Sequence, residues 1–459
     1  MKEFSALCLL TVVLFSSALL GQQSGSRPPS PCTIRPVEFD GWHAEEVAND
    51  WVRLTFVPQL GGRLMQVAFD GHNYLFVNPV YKGKYISPAE ADGRWINYGG
   101  DKIWPLPEGN DNEQHWNGAS TALDDGMYTF TILSQNPRCA VRLEGPPDKP
   151  TGLQYTREIS IGNDSPEILF HALTKNISGH SIEWSVQSVS QYDLSDPNDP
   201  KHYNHDFWAF APVNPSSAYL NGYHVYDGFA TDPSFKPSGG LFRLNWKYLE
   251  NEVWLDSTAG WLALVDGASH YAMVEKTKYF DGANYPGKAT VIFYKNGPSV
   301  RLNSDGMPYL TSTKLDETPY YMEAELNSPM AILTPGQVYT MDSQWFPTRA
   351  SQDSINTVTE AGLVLRPLTT KRIGGKIDLS GSFGGFFPGE LRAFLYDAEG
   401  MEKNEALLQP VRPQDAIEVH QTISATSDIV RVSVHLIDSA GLDRGALGEV
   451  FVSASDEQH

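Results

Sequence analysis

At 459 residues, with 41% hydrophobic and 12% aromatic side chains, the chain is long enough for two cores and has rings to spare for a binding face. It carries 55 acidic residues against 34 basic ones, a formal charge of −21, and no Lys/Arg cluster that would follow a phosphate backbone. That balance excludes nucleic acid as the expected partner.

The chain opens MKEFSALCLLTVVLFSSALLGQQ, with one Lys, an apolar run from Phe4 to Phe15, and then Ser16, Ser17, Ala18 and Gly21. This is the layout of an export signal over residues 1–21, and it predicts a periplasmic or secreted bacterial protein with no membrane attachment after cleavage. An uncleaved anchor would need about 20 apolar residues, more than this run supplies. No Cys follows at a lipoprotein spacing. Cys8 would leave with the signal, so Cys32 and Cys139 remain in the mature chain. In an oxidising compartment they either pair, tying the N-terminal arm to the first sheet, or stay apart, with Cys139 buried and Cys32 free.

Residues 22–40, which open QQSGSRPPSPC, read as a Ser/Pro/Gln-rich tether. From there a period of two takes over. Val52, Leu54 and Phe56 alternate with their neighbours, PQLGG turns the chain into RLMQVAF, and DGHN turns it again into YLFV. YTFTIL, AVRLEG, YTREISI, EILFHALTKN, IEWSVQSVSQY, WLALVD, YAMVEK, ATVIFY and YMEAEL continue the texture, bounded by Gly, Pro, Asn and Asp. No long segment holds a helical period, so the fold class is all-β and residues 41–350 form one large antiparallel domain. Between about Asp193 and Leu249 the pattern loosens into a turn-rich, aromatic loop whose Trp and Tyr content favours order and function. The strand texture pauses over residues 347–362. KIDLSGSF, ELRAFLYD, IVRVSVHLID and GEVFVSAS then predict a smaller C-terminal β-sandwich of immunoglobulin-like type over residues 351–459, with Val430, Val432, Val434 and Leu436 on one face. It holds no catalytic constellation and reads as accessory.

One segment stands apart: INYGGDKIWPLPEGNDNEQHW, residues 96–116. It has too many large rings for an ordinary loop and too many charges for a buried strand. Carbohydrates present apolar C–H faces and hydroxyl rims, and their sites pair flat rings with planar polar groups. Asn97, Tyr98, Asp101, Lys102 and Trp104 supply both kinds, with Gly99-Gly100 letting the backbone turn tightly or approach a ligand. Arg63, directly after PQLGG, offers a planar fork to a hydroxyl pair or a carboxylate, or forms an ion pair with a nearby acid. In the loose loop, Asp193, Asp196, Asn198, Asp199 and Asp206 are the oxygen donors that Ca²⁺ takes, though their spacing matches no complete ligand set, and self-capping turns are the ordinary alternative. No other cofactor is indicated.

Three stretches in order carry a family resemblance. VRLTFVPQLGGRLMQV resembles the opening hairpin of the galactose mutarotase-like superfamily. INYGGDKIWPLPEG resembles the segment where mutarotases have His-Gly-Gly and then a Trp, and YMEAELNSPMAILTPGQVYTMDSQW resembles the closing strands. The resemblance spans about residues 45–347 and, in its GGDK-x-W-P wording, is nearest an uncharacterised bacterial branch. It implies a large antiparallel supersandwich with a sugar in its concave face. Mutarotation needs a base for the anomeric hydroxyl and an acid for the ring oxygen, supplied in mutarotases by Glu and His. Glu323 and Glu325, two apart on one predicted strand, share a face and are the candidates for the Glu. The His is replaced: Gln187 falls where the catalytic His belongs, and Tyr98 where His-Gly-Gly has its His. An amide is no useful acid near neutral pH. Two expectations follow. One is an exported carbohydrate-binding protein with a cleft of Arg63, Asn97, Tyr98, Asp101, Lys102, Trp104, Gln187 and Glu325. The other is a sugar-ring enzyme, an epimerase, lyase or hydrolase, using Glu325 or Glu323 with a substitute acid such as His171, Tyr98 or His205.

Overall fold

The structure is a computed structural model, and it describes residues 30–452 apart from 110, 113, 119–120, 306 and 313–318. The proposed export signal lies outside the described residues. Among those that are described, no helix is long and apolar enough to cross a membrane.

Two large antiparallel sheets face each other. The first has twelve strands. Along its main path run Thr33–Phe39, Trp42–Ala48, Val52–Val57, Arg63–Phe69, Asp101–Leu106, Ile182–Asp193, Tyr321–Asn327, Val291–Lys295, Asn251–Leu255 and His224–Asp227. The second has nine, with Val338–Arg349 and Ile168–Asn176 at its centre. Period-two patterning explains the layering. In Leu153–Ile161 every odd residue is buried and every even one half-exposed, so one side of the second sheet faces the core and the other solvent. Leu54, Phe56 and Val67 from the first sheet meet Val141, Ile159 and Leu264 from the second in one shared core. Tyr321–Asn327 is buried at all seven positions: its inward side chains join that core, and its outward ones line a cleft on the far face of the first sheet.

Thr33–Phe39, read from sequence as tether, is instead the edge strand of the first sheet, paired residue for residue with Trp42–Ala48. Just before it, Cys32 is disulfide-bonded to Cys139, with 5.9 Å between Cα atoms, so the arm is fastened across to the second sheet. The loose region between Asp193 and Leu249, read as an ordered loop, contains the strands Phe207–Pro212, His224–Asp227 and Leu241–Asn245.

The C-terminal portion is a sandwich of two four-stranded sheets. Val432, Val434 and Leu436 point inward together as their alternation requires. Its core is continuous with the outer face of the second large sheet, where Ala263, Val265, Ala272, Val274 and Phe346 are buried beneath it. Phe346 stacks on Phe386 at 4.4 Å between centroids. This cover explains why Trp261–Asp266 is buried on both faces.

Candidate functional site

Strand register builds the cleft. Val189 lies opposite both Lys102 and Glu325, Glu325 opposite Ile292, and Ile292 opposite Trp254, so Lys102, Val189, Glu325, Ile292 and Trp254 form one row across five strands. Two residues along, Gln191, Glu323, Tyr294 and Glu252 form the next row. Directly opposed residues share a face, so both rows look out on the same side. Above them is a cavity of about 340 Å³, within the ~300–1,000 Å³ usual for small-molecule sites. It is lined by Trp95, Trp104, Glu108, Gln187, Tyr226, Glu252, Trp254, Tyr294, Glu323 and Glu325, among others.

The polar groups are unevenly paired. The Lys102 ammonium is 3.5 Å from Glu323 Oε1 and lies over the Trp104 ring at 4.1 Å, yet it has no hydrogen-bond partner. Burial pushes its pKa down, and the neighbouring Glu323 charge offsets only part of that. The Gln187 amide donates to Glu325 and that of Gln191 to Glu323, while Oε1 of each Gln is buried with no donor. Burial, and then the charges of Glu323, Glu252 and Glu108, hold the Glu325 carboxyl well above the usual carboxylate range. Glu252 is pushed up to about 7, mainly by burial and then by Glu323 and Asp227, against the hydrogen bond from Trp254. Glu108 is raised to about 8 by the protein around it and the charges of Glu252 and Glu323. Its residue is exposed at the mouth, where solvent screens it, so the upward shifts of Glu325 and Glu252 are the better-defined ones.

Of the residues predicted from sequence, Trp104, Gln187, Glu323 and Glu325 line the cavity, and Lys102 lies against Trp104 and Glu323. The others sit elsewhere. Arg63 is fully buried outside the cavity lining, its Nη2 paired with Asp124 at 2.8 Å and Asp125 at 3.2 Å, so its charge is already answered; the same Asp124 carboxylate accepts the Trp104 indole N–H. Asp101 points into the space between the sheets, where Arg157 and Ser190 bind it. Tyr98 packs in a small separate core and its hydroxyl accepts the Ile86 N–H, while the Asn97 amide oxygen accepts the N–H of Gly99. Gly99 and Gly100 serve packing: a Cβ on Gly99 would lie 2.1 Å from the Phe76 carbonyl oxygen, and one on Gly100 2.8 Å from that of Leu64.

His171 belongs to the second sheet, faces outward and pairs with Asp342. It cannot act as the acid in this cleft. His205 is also outside the cavity lining, its ring 4.1 Å from that of Tyr203 and tilted by 50°. The carboxylates proposed for Ca²⁺ cap their own loop: Asp193, Asp196 and Asp199 accept the backbone N–H of Ser195, Asn198 and Lys201, and Asp206 accepts the Trp208 indole N–H. Among the described residues no group of three or more His, Cys, Asp or Glu is arranged to hold a metal.

Sequence reasoning missed Trp95, Tyr226, Glu252, Trp254 and Tyr294, and gave Glu108 no role. The signal for two of them was present. NEVWL alternates, placing Glu252 and Trp254 on one face of a five-residue strand, but it sits just after the loosely patterned region and is not singled out as a strand there.

No family model matches the chain, and no curated protein does. Solved structures do. A galactose mutarotase-like protein from Clostridium acetobutylicum is 11% identical with a TM-score of 0.46, covering 70% of this chain and 99% of its own. One from Lactobacillus casei is 10% identical with a TM-score of 0.40, covering 69% and 100%. A TPR-domain containing protein from Parabacteroides distasonis is 14% identical with a TM-score of 0.42, covering 67% of this chain, which spans only 47% of that longer protein. The chain is thus similar to galactose mutarotase-like structures, and what its pocket does is read from its own side chains.

Proposed function

We propose that the protein is an exported sugar-binding protein whose pocket also moves protons at the sugar's anomeric centre, with Glu325 as acid and Glu323 as base. One observation carries this: a single ring-lined cavity holds two carboxyl groups in different surroundings. Burial and the carboxylates around it raise the Glu325 carboxyl well above its ordinary value, whereas Glu323 has the Lys102 ammonium 3.5 Å away. Pairs of titratable groups set apart by their surroundings are how one site supplies both an acid and a base. A strand rise of ~3.4 Å per residue puts the two Cα atoms ~7 Å apart, a gap that the side chains close around a sugar ring. Trp95, Trp104, Trp254 and Tyr294 offer flat faces to its C–H surface. The acid missing from the expected His position is supplied here by a second carboxyl on the same strand. The Cys32–Cys139 disulfide supports export to an oxidising compartment.

One-dimensional NMR of anomeric exchange, run beside calorimetric sugar binding, tests the reading. The wild type is expected to speed exchange well beyond buffer. Glu325→Gln is expected to abolish that acceleration while binding persists. Binding without acceleration in the wild type would leave a binding protein only, the reading favoured by Gln187, whose amide occupies the predicted His position and donates to Glu325.

A further inference from the structure

The two ends of the cavity differ in charge. At one end Lys102 balances Glu323. At the other, Glu252 and Glu108 have no ion-pair partner among the described residues, and Asp227 adds to the negative field there. Glu252 Oε1 accepts the Trp254 indole N–H at 2.5 Å, which satisfies one lone pair and leaves the charge unanswered. Beside these carboxylates, Tyr226 stacks on Trp254 with centroids 4.2 Å apart and planes 10° from parallel, a π surface of the kind that attracts cations. A further acceptor points to a missing donor: Gln187 lines the cavity, is 2% exposed, and its Oε1 has no hydrogen-bond partner. Buried acceptors without donors are costly, and this pocket collects them together with unbalanced carboxylates.

A neutral sugar would satisfy Gln187 through a hydroxyl but would leave the carboxylates of this end uncompensated. A sugar carrying an ammonium group answers both. Resting on the sugar-binding reading above, we propose that the pocket takes an amino sugar, its ammonium held against Glu252 and Glu108 beside the Tyr226–Trp254 stack and its hydroxyl rim turned toward Gln187, Glu323 and Glu325. The rise of Glu252 to about 7 is what uncompensated charge in a half-buried site produces, and a bound ammonium would draw the proton off.

Matched pairs of sugars test this across three ring stereochemistries. Glucosamine with glucose, galactosamine with galactose, and mannosamine with mannose are titrated into the whole protein by calorimetry at pH 7. In at least one pair the amino sugar is expected to bind at least fivefold tighter than its neutral partner. Glu252→Gln should bring that ratio to within twofold of unity, whatever it does to neutral-sugar affinity itself. The N-acetyl derivative, which has the nitrogen without the charge, should lose the preference against wild-type protein, a check that does not depend on the variant folding. A smaller ratio in every pair, with neutral sugars binding, would overturn the amino-sugar assignment and leave the sugar pocket standing, as would a preference that survives Glu252→Gln or acetylation. Binding of none of the six sugars would overturn both.

Discussion

Asp101 and Lys102 are neighbours on one strand, and the alternation of that strand sends them to opposite faces of the first sheet. Asp101 enters the space between the sheets, where Arg157 grips both its carboxylate and its carbonyl oxygen and Ser190 donates at 3.2 Å. Lys102 enters the cleft, where its ammonium faces Glu323 at 3.5 Å with no hydrogen bond. Both residues are almost fully buried. Burial therefore does not distinguish structure from function here; the way each charge is paired does. Asp101 and Arg63 sit in closed sets, each hydrogen-bonded to an opposite charge, whereas the cleft set is open: Lys102 faces Glu323 without a hydrogen bond, and Gln187 and Gln191 each keep an unpartnered amide oxygen.

The sharpest way to break this contrast is to open a closed set. Arg63→Met would strand Asp124 and Asp125, both buried, without their shared cation. The loss expected is about 3–5 kcal/mol of folding stability, seen as a lower urea midpoint. The cleft counterpart is Lys102→Met. Lys102 faces Glu323 at 3.5 Å without a hydrogen bond, so the loss of stability should be smaller than for Arg63→Met. Anomeric exchange should fall by about 10²-fold, because the proposed base loses the ammonium that faces it at 3.5 Å. If the two variants showed the reverse pattern, the distinction between closed and open sets would fail.

Much of this architecture was legible in the chain. Strand alternation in VRLTFV, YTREISI and YMEAEL set the sheets, and the two-residue spacing of Glu323 and Glu325 put both carboxyls on one face, because a period of two depends on local sequence alone. What was not legible was which side of a strand meets ligand and which meets a partner. Arg63 and Asp101 look like ligand contacts until the segments carrying Asp124, Asp125 and Arg157, far along the chain, close over them. Glu252 and Tyr294 join Glu323 only through the pairing of Asn251–Leu255 with Val291–Lys295 and of that strand with Tyr321–Asn327, a non-local register that no single segment encodes.

Glu275 sharpens the comparison from inside. It is a fully buried carboxyl of the second sheet with no cation; Tyr192 donates to Oε1, and Oε2 is unpartnered. Burial, with the charge of Asp101, raises it to about 8 against the hydrogen bond from Tyr192. Its folded pKa lies above the unfolded value of 4.5, so the native state holds a proton that the unfolded chain has released. The stability this gives is complete below about pH 4.5 and is lost as pH rises toward 8, at up to about 1.4 kcal/mol per pH unit. Glu275→Gln removes the titration and keeps the shape. The stability of wild type relative to this variant, from urea unfolding at pH 5, 6.5 and 8, should fall steadily with pH; a flat difference would mean that the carboxyl is already ionised.

Two tyrosines give the smallest and cleanest test. The sequence offers Tyr98 as a site residue and leaves Tyr226 in a loop, whereas the structure buries Tyr98 in a small core and leaves Tyr226 56% exposed at the cavity, stacked on Trp254. Tyr98→Ala removes a fully buried ring and should cost about 3–5 kcal/mol, with sugar affinity per folded molecule nearly unchanged. Tyr226→Ala removes a surface ring and should shift stability by less than about 0.5 kcal/mol. Losing one aromatic face from the ligand, worth about 0.5–1.5 kcal/mol, should weaken sugar binding several-fold. Measured side by side by thermal unfolding and calorimetry, the pair separates a ring that shapes the protein from one that meets the ligand. Affinity that followed Tyr98 instead of Tyr226 would move the site away from the Glu252 end of the cleft.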